Sequence, residues 1–217
     1  MGKAVDPAMQ RWRDGGFQVL RGLASTHEQH ELVRLGAEII EAAPLLVPTM
    51  PDGTPFRCKV TGAGEWMFYS DRRRGYHYTR VHPATGSPFQ PIPDLVRSLG
   101  YQALDIAGVR RIDFDSMLLN TYDADRGERL GLHVDVQEVD LDKPLVSISA
   151  GADCEFLIGG LERDIKPDKV VISSGDAVVM SGNARLWFHG VERTWHTMLS
   201  PLPPGIRWAF LLRSAFS

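Results

Sequence analysis

Cysteine is scarce in this chain, and the scarcity excludes two architectures. Cys58 and Cys154 are the only two thiols among 217 residues, without the paired spacing of a structural zinc site and too few to staple a secreted domain. No uninterrupted apolar run approaches the length needed to span a bilayer. The opening residues, Met1 to Asp6, lack an apolar signal core, and Asp6 stands where a myristoylation pattern requires Ser or Thr. A reducing, cytoplasmic setting without membrane attachment is therefore expected. A large charge excess is also missing: the formal net charge is -3, which argues against a uniformly basic nucleic-acid binder. Internal repeats and low-complexity stretches are absent.

What is present is ordinary for a globular protein, with 43% hydrophobic and 24% charged residues. The length suits one compact domain over residues 1–217, with helices and a lid in residues 1–111 and a strand-rich core in residues 112–217. Thr26 followed by Gln29 has the spacing of a capping box, and Leu32, Leu35, Ile39 and Ile40 recur near helical spacing until Pro44. From Val47 to Pro93 the chain is rich in Pro, Gly and Arg, which predicts irregular structure and short hairpins. Asp94 then suits the cap of a second helix that turns Leu95, Leu99, Ala103 and Ile106 inward and stops at Gly108. Beyond Phe114 short strands dominate: residues 116–122, 145–150, 154–158, 169–173, 176–181, 185–189 and 207–212. Their number and close spacing predict a mainly β (α+β) fold, an antiparallel sandwich or barrel with helices outside it.

Charge is uneven along the chain. Residues 57–111 carry Arg57, Lys59, Arg72, Arg73, Arg74, Arg80, Arg97, Arg110 and Arg111 against Glu65, Asp71, Asp94 and Asp105. The following stretch to Leu157 is acidic, so a basic surface beside an acidic pocket is expected.

The sharpest chemical signal is His133-Val134-Asp135. Alternate residues of an extended strand point the same way, so an imidazole and a carboxylate at this spacing can meet one ion. His189 ends another expected strand and is followed by Gly190, which permits close backbone approach. Two histidines and one carboxylate on one face of an octahedral Fe(II) leave the opposite positions open for a co-substrate and oxygen. The same three ligands also suit a hydrolytic zinc ion, and His-x-Asp alone also arises as a surface turn or a polar pair.

Several segments, in order and spacing from Trp66 onward, resemble the AlkB family of Fe(II)- and 2-oxoglutarate-dependent dioxygenases. Asn120-Thr121-Tyr122 is similar to its Asn-x-Tyr; His133, Asp135 and His189 fall at its metal positions. Residues 144–149, 156–160 and 175–182 are similar to its core strands, and Arg207 and Arg213 to the two arginines of its Arg-x-Asn-x-Thr-x-Arg signature, although Ala209 and Leu211 replace the Asn and Thr. The resemblance implies a double-stranded β-helix (jelly roll) with a nucleotide-recognition lid. It implies Fe(II) held by His133, Asp135 and His189, and 2-oxoglutarate held by Asn120, Tyr122, Arg207 and Arg213, with O2 as second co-substrate. A guanidinium clamps a carboxylate through two parallel hydrogen bonds, so Arg207 suits the distal carboxylate of 2-oxoglutarate, with Arg213 on the metal side.

The implied activity is oxidative removal of N-alkyl groups from nucleobases of the 1-methyladenine or 3-methylcytosine type, preferentially in single strands, by a monomer. Trp66 matches a base-stacking position of the family, Arg163 resembles a residue beside its lesion pocket, and Gln137 stands where some members carry an acidic base reader. Tyr76 and Tyr78, interleaved with arginines, suit stacking on extruded bases. Other substrates for the same chemistry, modified RNA or a small molecule, stay open, as does a jelly-roll binding module without turnover.

Overall fold

The computed structural model describes residues 7–217, and side chains from residue 11 onward; the opening residues 1–6, read above for targeting signals, lie outside the described residues. Helix α1 (Pro7–Gly15) leads into strand β1 (Phe17–Leu20) and helix α2 (Thr26–Ala42). Strands β2 (Lys59–Gly64), β3 (Met67–Asp71) and β4 (Gly75–Thr79) precede helix α3 (Asp94–Ala107). The second half holds β5 (Ser116–Asp123), β6 (Leu130–His133), β7 (Leu145–Gly151), β8 (Cys154–Ile158), β9 (Asp168–Ile172) and β10 (Ala177–Met180). A 3-10 turn (Gly182–Leu186), β11 (His189–Thr194) and β12 (Ile206–Arg213) complete it.

The strands form a six-stranded sheet in the order β1-β10-β7-β12-β5-β2, a four-stranded sheet in the order β6-β11-β8-β9, and the separate hairpin β3-β4. All the pairings between these strands are antiparallel. This is a jelly roll, as the family resemblance implies, and its antiparallel layers are those that the short-strand pattern predicts. Its period-2 logic is plain in the two central strands. Met117 and Leu119 of β5, with Phe210 and Leu212 of β12, join one core cluster with Leu32 and Ile39 of α2 and Val96, Leu99, Ala103 and Leu104 of α3. Leu118 and Tyr122, with Ala209 and Leu211, join the other cluster, together with Phe156, Ile158 and Val191 of the smaller sheet. The helices thus cover the outer face of the large sheet, while its inner face packs on the smaller one. Each large aliphatic side chain buried this way contributes about 1.5–3 kcal/mol. Arg207 and Arg213 share the inner parity of β12, and this is what turns two cations into the roll.

Several expectations are corrected. The cap of α2 is Ser25, whose Oγ accepts the Glu28 N–H while the Glu28 carboxylate accepts the Ser25 N–H; the capping box lies one residue before the Thr26–Gln29 pair, and Gln29 instead donates to the Ala24 carbonyl. In α3, Pro93 takes the cap position and Asp94 is the first helical residue. Gly108 ends that helix in the left-handed conformation, φ 69°, but Ile106 is 57% exposed and Leu104 fills the core in its place. The segment 47–93 is not all irregular, because β2 is an edge strand of the large sheet. With β1 at the other edge, the first half of the chain contributes to the roll expected of residues 112–217 alone. Residues 185–189 do not form a strand: the 3-10 turn occupies Gly182–Leu186, and His189 begins β11 instead of ending a strand.

Candidate metal and co-substrate site

His133 closes β6 and His189 opens β11, and the two are paired across the sheet. Gly190 makes this pairing possible: a Cβ there would stand 2.5 Å from the Leu130 carbonyl oxygen and 3.0 Å from the Gly131 carbonyl. Asp135 lies two residues beyond His133, past the end of the strand but still projecting toward the same point. His133 Nε2 is 3.9 Å from Asp135 Oδ1, and His189 Nε2 is 3.6 Å from Asp135 Oδ2. One ligand atom from each of the three residues lies within 4.8 Å of the others. Metal–ligand bonds of about 2.0–2.2 Å set neighbouring ligands about 3 Å apart, so small side-chain rotations close the set around one ion.

The imidazoles are oriented from behind. Nδ1 of His133 donates to the Gly131 carbonyl at 2.9 Å, and Nδ1 of His189 donates to the Trp187 carbonyl at 3.0 Å. Each bond fixes the tautomer that leaves Nε2 as a lone-pair donor. Burial and the neighbouring His189 hold the His133 imidazole down at about 4, with Asp135 opposing. His133 is therefore neutral, the form that binds a metal. Asp135 is held well below the usual carboxylate range: burial works against the charge, but the Arg213 guanidinium beside it outweighs burial.

Behind the carboxylate lies a buried ionic network that the sequence reading missed. Arg213 Nη2 donates to Asp135 Oδ2 at 2.9 Å, and its Nη1 donates to Glu138 Oε1 at 2.9 Å. Arg185 donates to the other oxygen of Glu138 at 2.7 Å and to the Asp135 backbone carbonyl at 2.7 Å. The Tyr78 hydroxyl donates to Glu138 Oε1 at 2.6 Å. Glu138 and Arg185 were both in plain view, Glu138 three residues after Asp135 and Arg185 four before His189, but only the fold shows that they meet. The expected acidic pocket is corrected here, since two buried carboxylates face two buried guanidiniums and the charges cancel.

The residues expected to hold the co-substrate lie on adjacent central strands. Arg207 of β12 is paired with Tyr122 of β5, and Ala209 with Asn120. Arg207 is buried; it donates to Ser149 Oγ at 2.7 Å and to the Ala152 carbonyl at 3.4 Å. Its Nε has no partner, and neither has Asn120 Oδ1, although both atoms are buried. Unpaired buried polar groups are destabilising unless a ligand meets them. A buried guanidinium edge and an adjacent amide suit a carboxylate co-substrate. Ala209 and Leu211, buried on the same face, make part of that wall apolar.

The substrate residues of the sequence reading are more dispersed. Trp66 lies between Arg80, 4.3 Å from its ring centre, and Phe216, with ring centres 4.3 Å apart. Tyr76 is exposed at 44% and runs nearly parallel to Phe68. Tyr78 is tied into the buried network by its hydroxyl. Gln137 is half-buried, its side-chain oxygen accepting the Val136 N–H at 3.4 Å, and Arg163 is exposed with its guanidinium 5.6 Å from the Phe188 ring centre. Arg72, Arg73 and Arg74 are exposed at the tip of the β3-β4 hairpin.

Comparison with known proteins agrees with this geometry. The family model of the 2OG-Fe(II) oxygenase superfamily matches residues 16–209. The alpha-ketoglutarate-dependent dioxygenase AlkB homolog of Caulobacter vibrioides is 36% identical over 200 residues, covering 92% of this chain and 88% of its own. The alpha-ketoglutarate-dependent dioxygenase AlkB of Escherichia coli strain K12 is 30% identical over 177 residues, covering 82% and 80%. The solved structure of OsALKBH1 superposes with a TM-score of 0.79 at 24% identity, covering 92% of this chain and 97% of that one, and supports the fold. This chain belongs to the AlkB family of dioxygenases, which use Fe(II), 2-oxoglutarate and O2.

Proposed function

We propose that this dioxygenase removes N-alkyl groups oxidatively from nucleobases of the 1-methyladenine and 3-methylcytosine type in single-stranded DNA, acting as a cytoplasmic monomer. The carrying observation is the convergence of His133, Asp135 and His189, with both imidazoles presenting Nε2. In this reading these three side chains hold Fe(II), and Arg207, Asn120 and Tyr122 hold 2-oxoglutarate, Arg207 through its unpaired edge. With Fe(II), 2-oxoglutarate and O2 bound, the site would supply oxidative hydroxylation of an N-alkyl carbon, with 2-oxoglutarate converted to succinate and CO2 and the alkyl group released as an aldehyde.

The chain's own residues position and exclude. Arg213 holds the Asp135 carboxylate through Oδ2, and Arg185 holds the backbone carbonyl of the same residue. In the same reading Trp66, Tyr76 and Tyr78 supply aromatic surface for an extruded base, while Gln137 and Arg163 supply polar contacts to it. The arginines of the hairpin tip suit phosphates, and single strands spare the enzyme the cost of flipping. Because Arg185 and Arg213 neutralise the carboxylates, recognition of a cationic base rests on aromatic faces.

The test is mass spectrometry of an oligonucleotide carrying 1-methyladenine, treated with enzyme, Fe(II) and 2-oxoglutarate. The base should revert to adenine with matching succinate, and His133→Ala should abolish both. Succinate released without any change in the oligonucleotide would reject the nucleobase substrate.

A further inference from the structure

Trp66 and Phe216 are brought together by a single residue. The backbone carbonyl of Asp115 accepts the N–H of Glu65 at 2.8 Å and of Trp66 at 3.1 Å. The carboxylate of the same Asp115 accepts the N–H of Ala215 at 2.6 Å, Phe216 at 2.8 Å and Ser217 at 2.9 Å. Trp66 is thus held from one side of Asp115 and residues 215–217 from the other, and the Phe216 ring comes to rest on the indole with ring centres 4.3 Å apart. Tyr78 closes the group, its ring edge-on to Phe216 at 5.7 Å, and the Tyr78 hydroxyl reaches the network behind Asp135. The group therefore adjoins the metal site.

Two different kinds of group lie against Trp66. The Arg80 guanidinium stands over its ring at 4.3 Å and is itself fixed by Glu65 at 2.7 Å. Phe216 lies against the indole with ring centres 4.3 Å apart and remains 48% exposed. At 4.3 Å no planar ring fits between Trp66 and Phe216, since stacked rings need about 3.5–4 Å on each side. Phe216 is anchored only through backbone N–H groups, so rotation about its χ1 swings the ring away without breaking a bond to Asp115.

Resting on the nucleobase reading above, we propose that Phe216 belongs to the base-binding site: its ring is a placeholder on Trp66 that a flat, cationic alkylated base displaces. The ring keeps the apolar indole face covered between turnovers. The base then takes over a face that attracts a cation more strongly than a neutral phenyl does. Substrate must first lift the placeholder, so its apparent affinity is lowered by the worth of one aromatic pair.

The experiment compares wild type, Phe216→Ala and Phe216→Tyr, each with a Trp66→Phe counterpart that isolates the Trp66 fluorescence. Acrylamide should quench Trp66 more in Phe216→Ala than in wild type or Phe216→Tyr. A single-stranded oligonucleotide with one 1-methyladenine, titrated with Fe(II) and 2-oxoglutarate under anaerobic conditions, should bind Phe216→Ala about two- to tenfold more tightly. Phe216→Tyr should restore wild-type affinity. Unchanged quenching, or equal or weaker binding by Phe216→Ala while wild type binds, would overturn the placeholder. Binding by neither protein would overturn the nucleobase reading itself, and the placeholder with it.

Discussion

Arg213 and Asp135 are joined at 2.9 Å, both buried, one at the end of β12 and the other in the loop after β6. The same guanidinium holds Glu138 at 2.9 Å, so one side chain sets the position of a candidate metal ligand and ties it to the loop that follows. Removing it leaves two carboxylates buried beside each other. Arg213→Met is expected to destabilise the fold by about 3–5 kcal/mol, the loss typical of a broken buried ion pair. Chemical denaturation measures this, and anaerobic Fe(II) titration should show weakened binding as well. Arg213→Lys keeps the charge but not the fork, and should recover only part of either.

Gly190 carries the approach of His189 to His133. Gly190→Ala places a methyl 2.5 Å from the Leu130 carbonyl oxygen, against backbone that has no rotamer to yield. Overpacking of this kind costs about 1–3 kcal/mol. Here the relief is local, through separation of β6 from β11, so Fe(II) affinity should fall more than thermal stability does. Equal metal affinity in the variant and wild type would show that the pairing does not set the site.

Arg207 has one unpaired buried nitrogen, Nε, and makes no salt bridge among the described residues. Arg207→Met is expected to raise KM for 2-oxoglutarate roughly 10- to 100-fold, the worth of a hydrogen bond to a charged group, while Fe(II) binding in the absence of 2-oxoglutarate stays near wild type. Steady-state kinetics with varied 2-oxoglutarate and a separate metal titration read the two effects independently.

Cys58 is buried, and burial, aided by the charge of Glu128, pushes its thiol up to about 12. The folded state thus disfavours the thiolate, whereas the unfolded chain loses the proton near the ordinary value of 9.0. The contribution of this group to stability is complete below pH 9 and is lost as pH rises from about 9 to 12. At pH 8 the native protein should resist iodoacetamide at Cys58, and denaturant should expose the thiol at once. Rapid labelling of the native protein would contradict this burial.

The legibility of the site differs from residue to residue. His133 and Asp135 were readable because their ligand chemistry is carried by residue type and a spacing of two, which survives even though Asp135 lies past the strand. His189 was readable as a ligand but not as the first residue of β11, because Leu186-Trp187-Phe188 just before it has the apolar content of a strand, although Leu186 ends a 3-10 turn. The pairing of Arg207 with the neighbourhood of Asn120 and Tyr122 follows from strand register, which no local pattern specifies. Glu138 and Arg185 carried no signal of their own: a charged residue on a loop is ordinarily solvated, and only burial changes its meaning. Ser25 was overlooked for Thr26 because both cap helices well and the choice rests on which residue stands three positions before Glu28.

By itself the sequence determined the chemistry available, two imidazoles and a carboxylate at workable spacings, two arginines of one parity on a final strand, and short strands that predict an antiparallel sandwich or barrel. Tertiary structure decided which charges meet. It set Arg213 against Asp135 and Glu138, left one edge of Arg207 unpaired, and laid Phe216 on Trp66 across Asp115. Local pattern sets conformation over a few residues, but the pairing of residues 60 and 78 positions apart is settled by burial, where an unpartnered charge is too costly to keep.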